Sequence, residues 1–170
     1  QKPMVALTFD DGPHYTVTPR ILDILQKNNA RATFFVLGNR VDNFPNIIQR
    51  EYSQGHEIGS HSFSHPQITT LTSEEIEYQF TETEQYVPYT TKLIRPPYGQ
   101  ITQSLKEVLQ KTFVLWSIDT QDWKTRDKDA IVSEVLNNVK DGDIILMHDM
   151  YSTTADACEE LIPALIERGY

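Results

Sequence analysis

Two histidines four residues apart, His61 and His65, and two adjacent carboxylates, Asp10 and Asp11, are the residues of this chain best suited to chemistry. Histidines at that spacing can meet on one side of a helical turn or in a tight loop. Joined by one carboxylate, they form a two-histidine, one-carboxylate donor set with open coordination positions, which suits zinc or a similar divalent ion performing hydrolysis. Taken alone, each pair is a weak signal. Histidines in a polar loop are often merely exposed, and adjacent aspartates often just make a turn. What strengthens the set is where it falls in the pattern of elements, together with Arg95, Tyr98, Asp119, Asp122 and His148.

Short apolar runs at 5–9, 32–36, 57–60, 93–94, 113–116 and 144–147 predict buried strands, most of them rich in β-branched or aromatic residues. Helix patterns lie between them. Ile21, Leu22, Ile24 and Leu25 share a face behind Pro19, which suits a first turn. Ser73 starts a segment running towards Tyr86, and Leu105, Val108 and Leu109 mark another. Ile131, Val132, Val135, Leu136 and Val139 repeat at helical spacing behind Asp127, a suitable N-cap, and stop before Gly142. Leu161, Ile162, Leu165 and Ile166 form the last helix face, closed by Gly169. Such alternation predicts a parallel α/β sheet, open or closed into a barrel.

The chemically capable residues follow these strands. Asp10-Asp11-Gly12-Pro13-His14 comes after the first, the His61–His65 segment after the third, and Arg95-Pro96-Pro97-Tyr98-Gly99 after the fourth. Asp119 and Asp122-Trp123 follow the fifth, and His148-Asp149 the sixth. Active sites of parallel α/β sheets and barrels assemble at that C-terminal edge. The pattern after Gly169 calls for one more strand, so residues 1–170 read as a single domain that lacks its last strand.

Composition narrows the partners. A length of 170 residues fits one core, and 39% hydrophobic with 23% charged residues is ordinary for a globular chain. A net charge of -9 with no basic run repels nucleic acid and anionic lipid, leaving a neutral or cationic partner. Cys158 is the one cysteine, so neither an internal disulfide nor a cysteine zinc cluster can form, and its helical setting suits a small buried hydrophobe. There is no apolar run of membrane-spanning length and no signal peptide within these residues; a chain that begins with Gln1 and enters a strand at once reads as a trimmed domain. A serine-hydrolase elbow, a phosphate-binding loop and a dinucleotide fingerprint are all missing.

Five segments, Thr8-Phe9-Asp10-Asp11-Gly12-Pro13, the His61/His65 pair, Arg95-Pro96-Pro97-Tyr98-Gly99, Asp122-Trp123 and Leu146-Met147-His148, resemble in order the five motifs of the NodB-homology polysaccharide deacetylases, carbohydrate esterase family four. They cover nearly the whole chain. The resemblance implies a distorted (β/α) barrel of about seven strands with a groove for a glycan. It implies that Asp11, His61 and His65 hold a divalent metal, zinc first and cobalt second. A metal there lowers the pKa of water towards roughly 7 and polarises the acetyl carbonyl.

By the same resemblance Asp10 matches the general base and Arg95 the residue that pairs with it. The amide of Tyr98 matches an oxyanion donor, and His148 the general acid that protonates the departing amine. Asp122 matches the carboxylate that steadies His148, while Trp123 and Leu146 match the wall around the acetyl methyl. Trp123 and Leu146 fit ordinary core equally well, and Tyr15, Tyr98 and Trp123 could stack on sugar rings. Asp119 reads as structural, and His14, His56 and Asp149 as bystanders of the motifs. The expected activity is removal of N-acetyl groups from N-acetylglucosamine units of a peptidoglycan or chitin-type chain, outside the cell or at its surface, by a monomer. The alternatives are an O-deacetylase on acetylated xylan and an inactive glycan-binding module.

Overall fold

A computed structural model describes residues 1–170. The first strand, β1 (Ala6–Asp10), lies at the heart of the sheet. It pairs in parallel with β2 (Thr33–Val36) on one side and with β7 (Ile144–His148) on the other. Outward from β2 run β3 (Glu57–Ser60), β4 (Leu93–Ile94) and β5 (Thr112–Phe113); beyond β7 lies β6 (Ile118–Asp119). All six pairings are parallel, which requires a crossover between strands and explains the strand–helix alternation. Phe9, Phe34, Ile58, Ile145 and Met147 are wholly buried, as strands covered on both faces should be.

The single strand expected at 113–116 is in fact two strands on opposite edges of the sheet. β5 ends at Phe113 and β6 begins at Ile118. The carbonyls of Val114 and Leu115 turn instead to the Arg95 guanidinium, accepting from Nε at 3.2 Å and Nη2 at 2.8 Å. An unbroken apolar run carries no mark of such a switch. It also fixes the shape of the sheet. A link of this length reaches about 17 Å when extended, whereas the outer strands of a flat seven-stranded sheet would lie about 29 Å apart. The sheet is therefore curled into a half-barrel, as the resemblance implied. Arg95 spans the gap, bonding to β1 through Thr8 and Asp10 as well as to the crossing segment.

Helices cover the outside. In α1 (Val17–Lys27), Ile21, Leu22 and Leu25 are completely buried, and the ring of His14 accepts the amides of Thr16 and Val17 at the helix start. Two further helices, α2 (Gly38–Asn43) and α3 (Pro45–Ser53), were not anticipated. They bury only Gly38, Val41, Ile48 and Glu51, too sparse an apolar pattern to read as a helix face. Thr72 and Glu75 form a reciprocal capping box at the start of α4 (Ser73–Glu84), and α5 (Gln103–Val108) is capped by Thr102. The short α6 (Asp122–Thr125) leads to α7 (Lys128–Asn138), capped by Asp127 as expected, and α8 (Ser152–Glu167) ends the chain. Cys158 of α8 is fully buried beside Met147, and burial pushes its thiol pKa up, as an inert core residue requires. No helix is long and apolar enough to cross a membrane.

Candidate active site

The two neighbouring aspartates diverge because the chain turns between them. Asp10 is the last residue of β1 and points inward at 3% exposure, whereas Asp11 adopts a left-handed backbone with φ of 78°. That turn aims the Asp11 carboxylate at the loop after β3. The loop itself is bent by left-handed Ser62 and His65, with φ of 80° and 64°. Local hydrogen bonds hold it: the Ser62 hydroxyl accepts from the His65 amide, and the Gln79 side chain of α4 accepts from the amides of Phe63 and Ser64.

His61 donates from Nδ1 to the Arg95 carbonyl at 2.5 Å. A carbonyl can only accept, so Nδ1 carries a proton and Nε2 is the nitrogen that faces Asp11 Oδ1, at 3.3 Å. His65 Nε2 lies 3.6 Å from the same oxygen. One donor atom from each of Asp11, His61 and His65 falls within 4.8 Å of the others. Asp11 Oδ1 is buried and has no hydrogen-bond partner, a costly state unless something else meets it. An oriented ring nitrogen, a second nitrogen and an orphaned carboxylate oxygen on one point fit a divalent metal site. Although burial opposes it, His61 and the neighbouring histidines lower the Asp11 pKa. Against the same opposition, Asp10 and Asp11 raise that of His61, while burial and His61 lower that of His65.

Behind the cleft, Arg95 is completely buried. Its Nη1 donates to Asp10 Oδ1 and to the Thr8 hydroxyl, both at 2.8 Å, and its guanidinium lies 4.3 Å from the Phe35 ring centre. Every polar edge of this charge is therefore met, the condition for burying it. On the strand paired with β1, His148 ends β7 beside Asp10, and its Nδ1–H donates to Asp122 Oδ1 at 2.8 Å. Asp122 is wholly buried and also accepts from the amides of His148 and Trp123 and from the Thr154 hydroxyl. Burial works against a charged His148, but the hydrogen bond and charge of Asp122, with Asp11 and Asp10 behind, raise its pKa to about 9. Its Nε2 stands 4.0 Å from Asp11 Oδ2, facing the cleft.

The cleft encloses about 370 Å³. Asp10, Asp11, His61, His65, Tyr98, Trp123, Leu146 and His148 all line it, while Arg95 and Asp122 stand buried behind. Trp123 and Leu146 thus belong to the wall, Trp123 half-exposed and Leu146 buried. Tyr98, left-handed at φ 60°, packs edge-on against His65 with ring centres 4.8 Å apart. Asp119 does more than support the turn: it accepts from the Gln121 amide and also lines the cleft. Trp116 and Tyr151 are wall residues that the sequence did not flag. Tyr151 sits three positions past His148 with its ring 6.1 Å away, so following that motif further would have found it. His14, His56 and Asp149 stay outside the cleft; His56 accepts the Ala32 amide, and burial with nearby arginines lowers its pKa to about 4. Tyr15 stacks on His14 at the surface.

A curled parallel sheet with carboxylates and histidines gathered at its C-terminal edge is the kind of α/β half-barrel in which active sites assemble. The polysaccharide deacetylase family model matches residues 1–114, and the chain belongs to that family. It is 44% identical over 98% of its length to the peptidoglycan-N-acetylmuramic acid deacetylase PdaC of Bacillus subtilis. To the peptidoglycan-N-acetylglucosamine deacetylase PgdA of Listeria monocytogenes it is 41% identical, again over 98% of the chain. The chain spans only 37% and 36% of those two relatives. A chitooligosaccharide deacetylase of Azorhizobium caulinodans is 33% identical over 98% of this chain and 90% of its own. The solved structure of PdaC superposes with a TM-score of 0.97, covering 100% of this chain and 86% of that one at 44% identity.

Proposed function

We propose that this chain is one catalytic domain that hydrolyses N-acetyl groups on N-acetylglucosamine units of a peptidoglycan or chitin-type glycan. One observation carries the proposal: Asp10 and His148, register partners on the paired strands β1 and β7, both face the cleft that the Asp11–His61–His65 donor set also lines. That is the arrangement an amide hydrolase needs, with a base where water enters and an acid where the amine leaves. The relatives named for peptidoglycan and chitooligosaccharides support the substrate class.

Asp11, His61 and His65 would hold a divalent ion, zinc first and cobalt next by donor type. When bound, the ion supplies Lewis acidity that polarises the acetyl carbonyl and makes a nearby water easier to deprotonate. Asp10, oriented by Arg95, accepts the water's proton as its oxygen bonds to the acetyl carbon. The amide of Tyr98 donates to the developing oxyanion. His148, held by Asp122, then protonates the glucosamine nitrogen as the C–N bond breaks, giving acetate and a free amine. Trp123 and Leu146 enclose the methyl group. An acetylated glycan is the partner, and nucleic acid is disfavoured by the charge of -9. The domain acts as a monomer at the cell surface or outside the cell.

The test is acetate release from N-acetyl oligosaccharides and from acetylated xylan, each with and without a chelator. Chelator-sensitive release from the N-acetyl substrates is the expected result. Release from xylan alone would make the domain an O-deacetylase, release indifferent to thorough metal stripping would remove the metal mechanism, and no release at all would leave a glycan-binding module.

A further inference from the structure

The loop from Asp11 to His14 carries one of the three donor residues, yet it belongs to no helix or strand. Its backbone is tied at three points. The Gly12 carbonyl accepts from the Leu37 amide at 3.1 Å, the Pro13 carbonyl from Arg40 Nε at 2.9 Å, and the His14 amide donates to the Thr18 hydroxyl at 2.8 Å. A fourth restraint is a side chain from the far side of β1. Asp149 follows β7 and is 1% exposed. Its carboxyl lies so close to Gly12 that a Cβ there would sit 2.1 Å from Oδ2 and 2.5 Å from both Oδ1 and Cγ. Gly12 is not in the left-handed region, so glycine is required for space rather than for backbone conformation.

The same Oδ2 accepts from the Thr18 hydroxyl at 2.7 Å, and that hydroxyl in turn receives the His14 amide. Asp149 thus bears on both ends of the loop, by contact at Gly12 and through Thr18 at His14. Its other oxygen, Oδ1, is buried without a partner. A side chain kept there with half of its carboxyl unsatisfied contributes through its shape and the one hydrogen bond it makes. We propose that Asp149 is a positioning residue for the metal site: it wedges against Gly12 and anchors Thr18, and so fixes where the Asp11 carboxylate points. The preceding residue is His148, so one dipeptide would set the acid on one face of β7 and brace the donor loop from the other. The inference rests on Asp11 being a metal ligand.

The experiment measures zinc affinity of the metal-stripped protein by competition calorimetry, beside the pH profile of turnover at saturating zinc. Asp149→Ala should weaken zinc binding about 10- to 100-fold, the range typical of groups that orient metal ligands. Its turnover should recover at saturating zinc with the alkaline limb set by His148 in place. Asp149→Asn keeps the shape and the acceptor for Thr18, and should stay within about threefold of the parent affinity. Thr18→Val removes only the hydroxyl and covers the case in which Asp149→Ala does not fold; it should weaken zinc binding in the same direction by less. Parent-like zinc affinity in folded Asp149→Ala, or in Thr18→Val where that variant must stand in, overturns the proposal. So does an Asn variant as weak as the Ala variant. A parent protein that binds no zinc would instead overturn the role given to Asp11.

Discussion

The two sides of the cleft are finished to different degrees. On the His148 side, the histidine and Asp122 form a complete unit in which both carboxylate oxygens of Asp122 are bonded to donors from three elements, β7, α6 and α8. On the donor side, Asp11 Oδ1 is buried and unpartnered, and two histidine nitrogens converge on it without hydrogen-bond geometry. The first arrangement is stable as it stands. The second gains its partner only from outside, as a binding site should, since buried polar groups in a folded protein are otherwise satisfied. Pre-bonding of His61 to the Arg95 carbonyl orients the open side before anything binds.

The most severe way to break this comparison is to exchange the two aspartates separately. Asp10→Asn should lower turnover by about 10²- to 10⁴-fold, the usual worth of a general base, with zinc content unchanged. Asp11→Asn should lose zinc affinity, with part of the turnover recoverable at high metal concentration. Metal content and turnover across a zinc titration decide it; rescue of the Asp10 variant by excess zinc would reverse the assignments.

Asp122→Asn probes the finished side. In the proposed mechanism His148 acts while protonated, so activity should fall as pH rises through about 9 in the parent. Without the carboxylate, the limb should move towards the ordinary histidine value of 6.5. The sign for stability is the same. A histidine whose folded pKa is raised contributes stability that is full below 6.5 and lost as pH rises through about 9. That alkaline loss should vanish in the variant, as denaturation midpoints against pH would show. An unmoved activity limb would mean that Asp122 does not govern the acid.

Zinc added at about 100 times its Kd should stabilise the parent by about 2.7 kcal/mol. The rise in Tm should persist in Asp122→Asn and disappear in His65→Ala, because only one side of the cleft awaits an ion. Equal loss in both variants would erase the distinction between the sides. The smallest effect belongs to Tyr98→Ala. Removing the ring edge-on to His65 should weaken zinc binding only severalfold, in line with about 0.5–1.5 kcal/mol for an aromatic pair.

Much of this site was legible because its chemistry follows strand ends, and strand ends can be located from short apolar runs. All ten candidate residues lie in the cleft or directly behind it. Helix α7 also announced itself through Asp127, whereas the caps Thr72 and Thr102 emerged only with the structure. The run at 113–116 misled, since hydrophobicity reports burial and not the sheet edge to which a strand belongs. Helices α2 and α3 were hidden by their small buried faces. Trp116 enters the wall through the curl of the sheet, a long-range property that no local spacing encodes.

The buried Arg95 ties survival of the fold to one part of the machinery and not to another. Its guanidinium holds the crossing segment to β1, so removing it strands a buried Asp10 and two carbonyls, at about 3–5 kcal/mol for breaking such a pair. That is a large share of the roughly 5–15 kcal/mol by which domains are stable. His148 lines the cleft with its side chain 14% exposed, so an exchange there does less harm to packing. A lineage of this domain drifting out of use would therefore lose His148, the proposed acid, before Arg95. It would keep the arginine long afterwards, so an intact Arg95 beside an altered His148 would mark a retired enzyme rather than a working one.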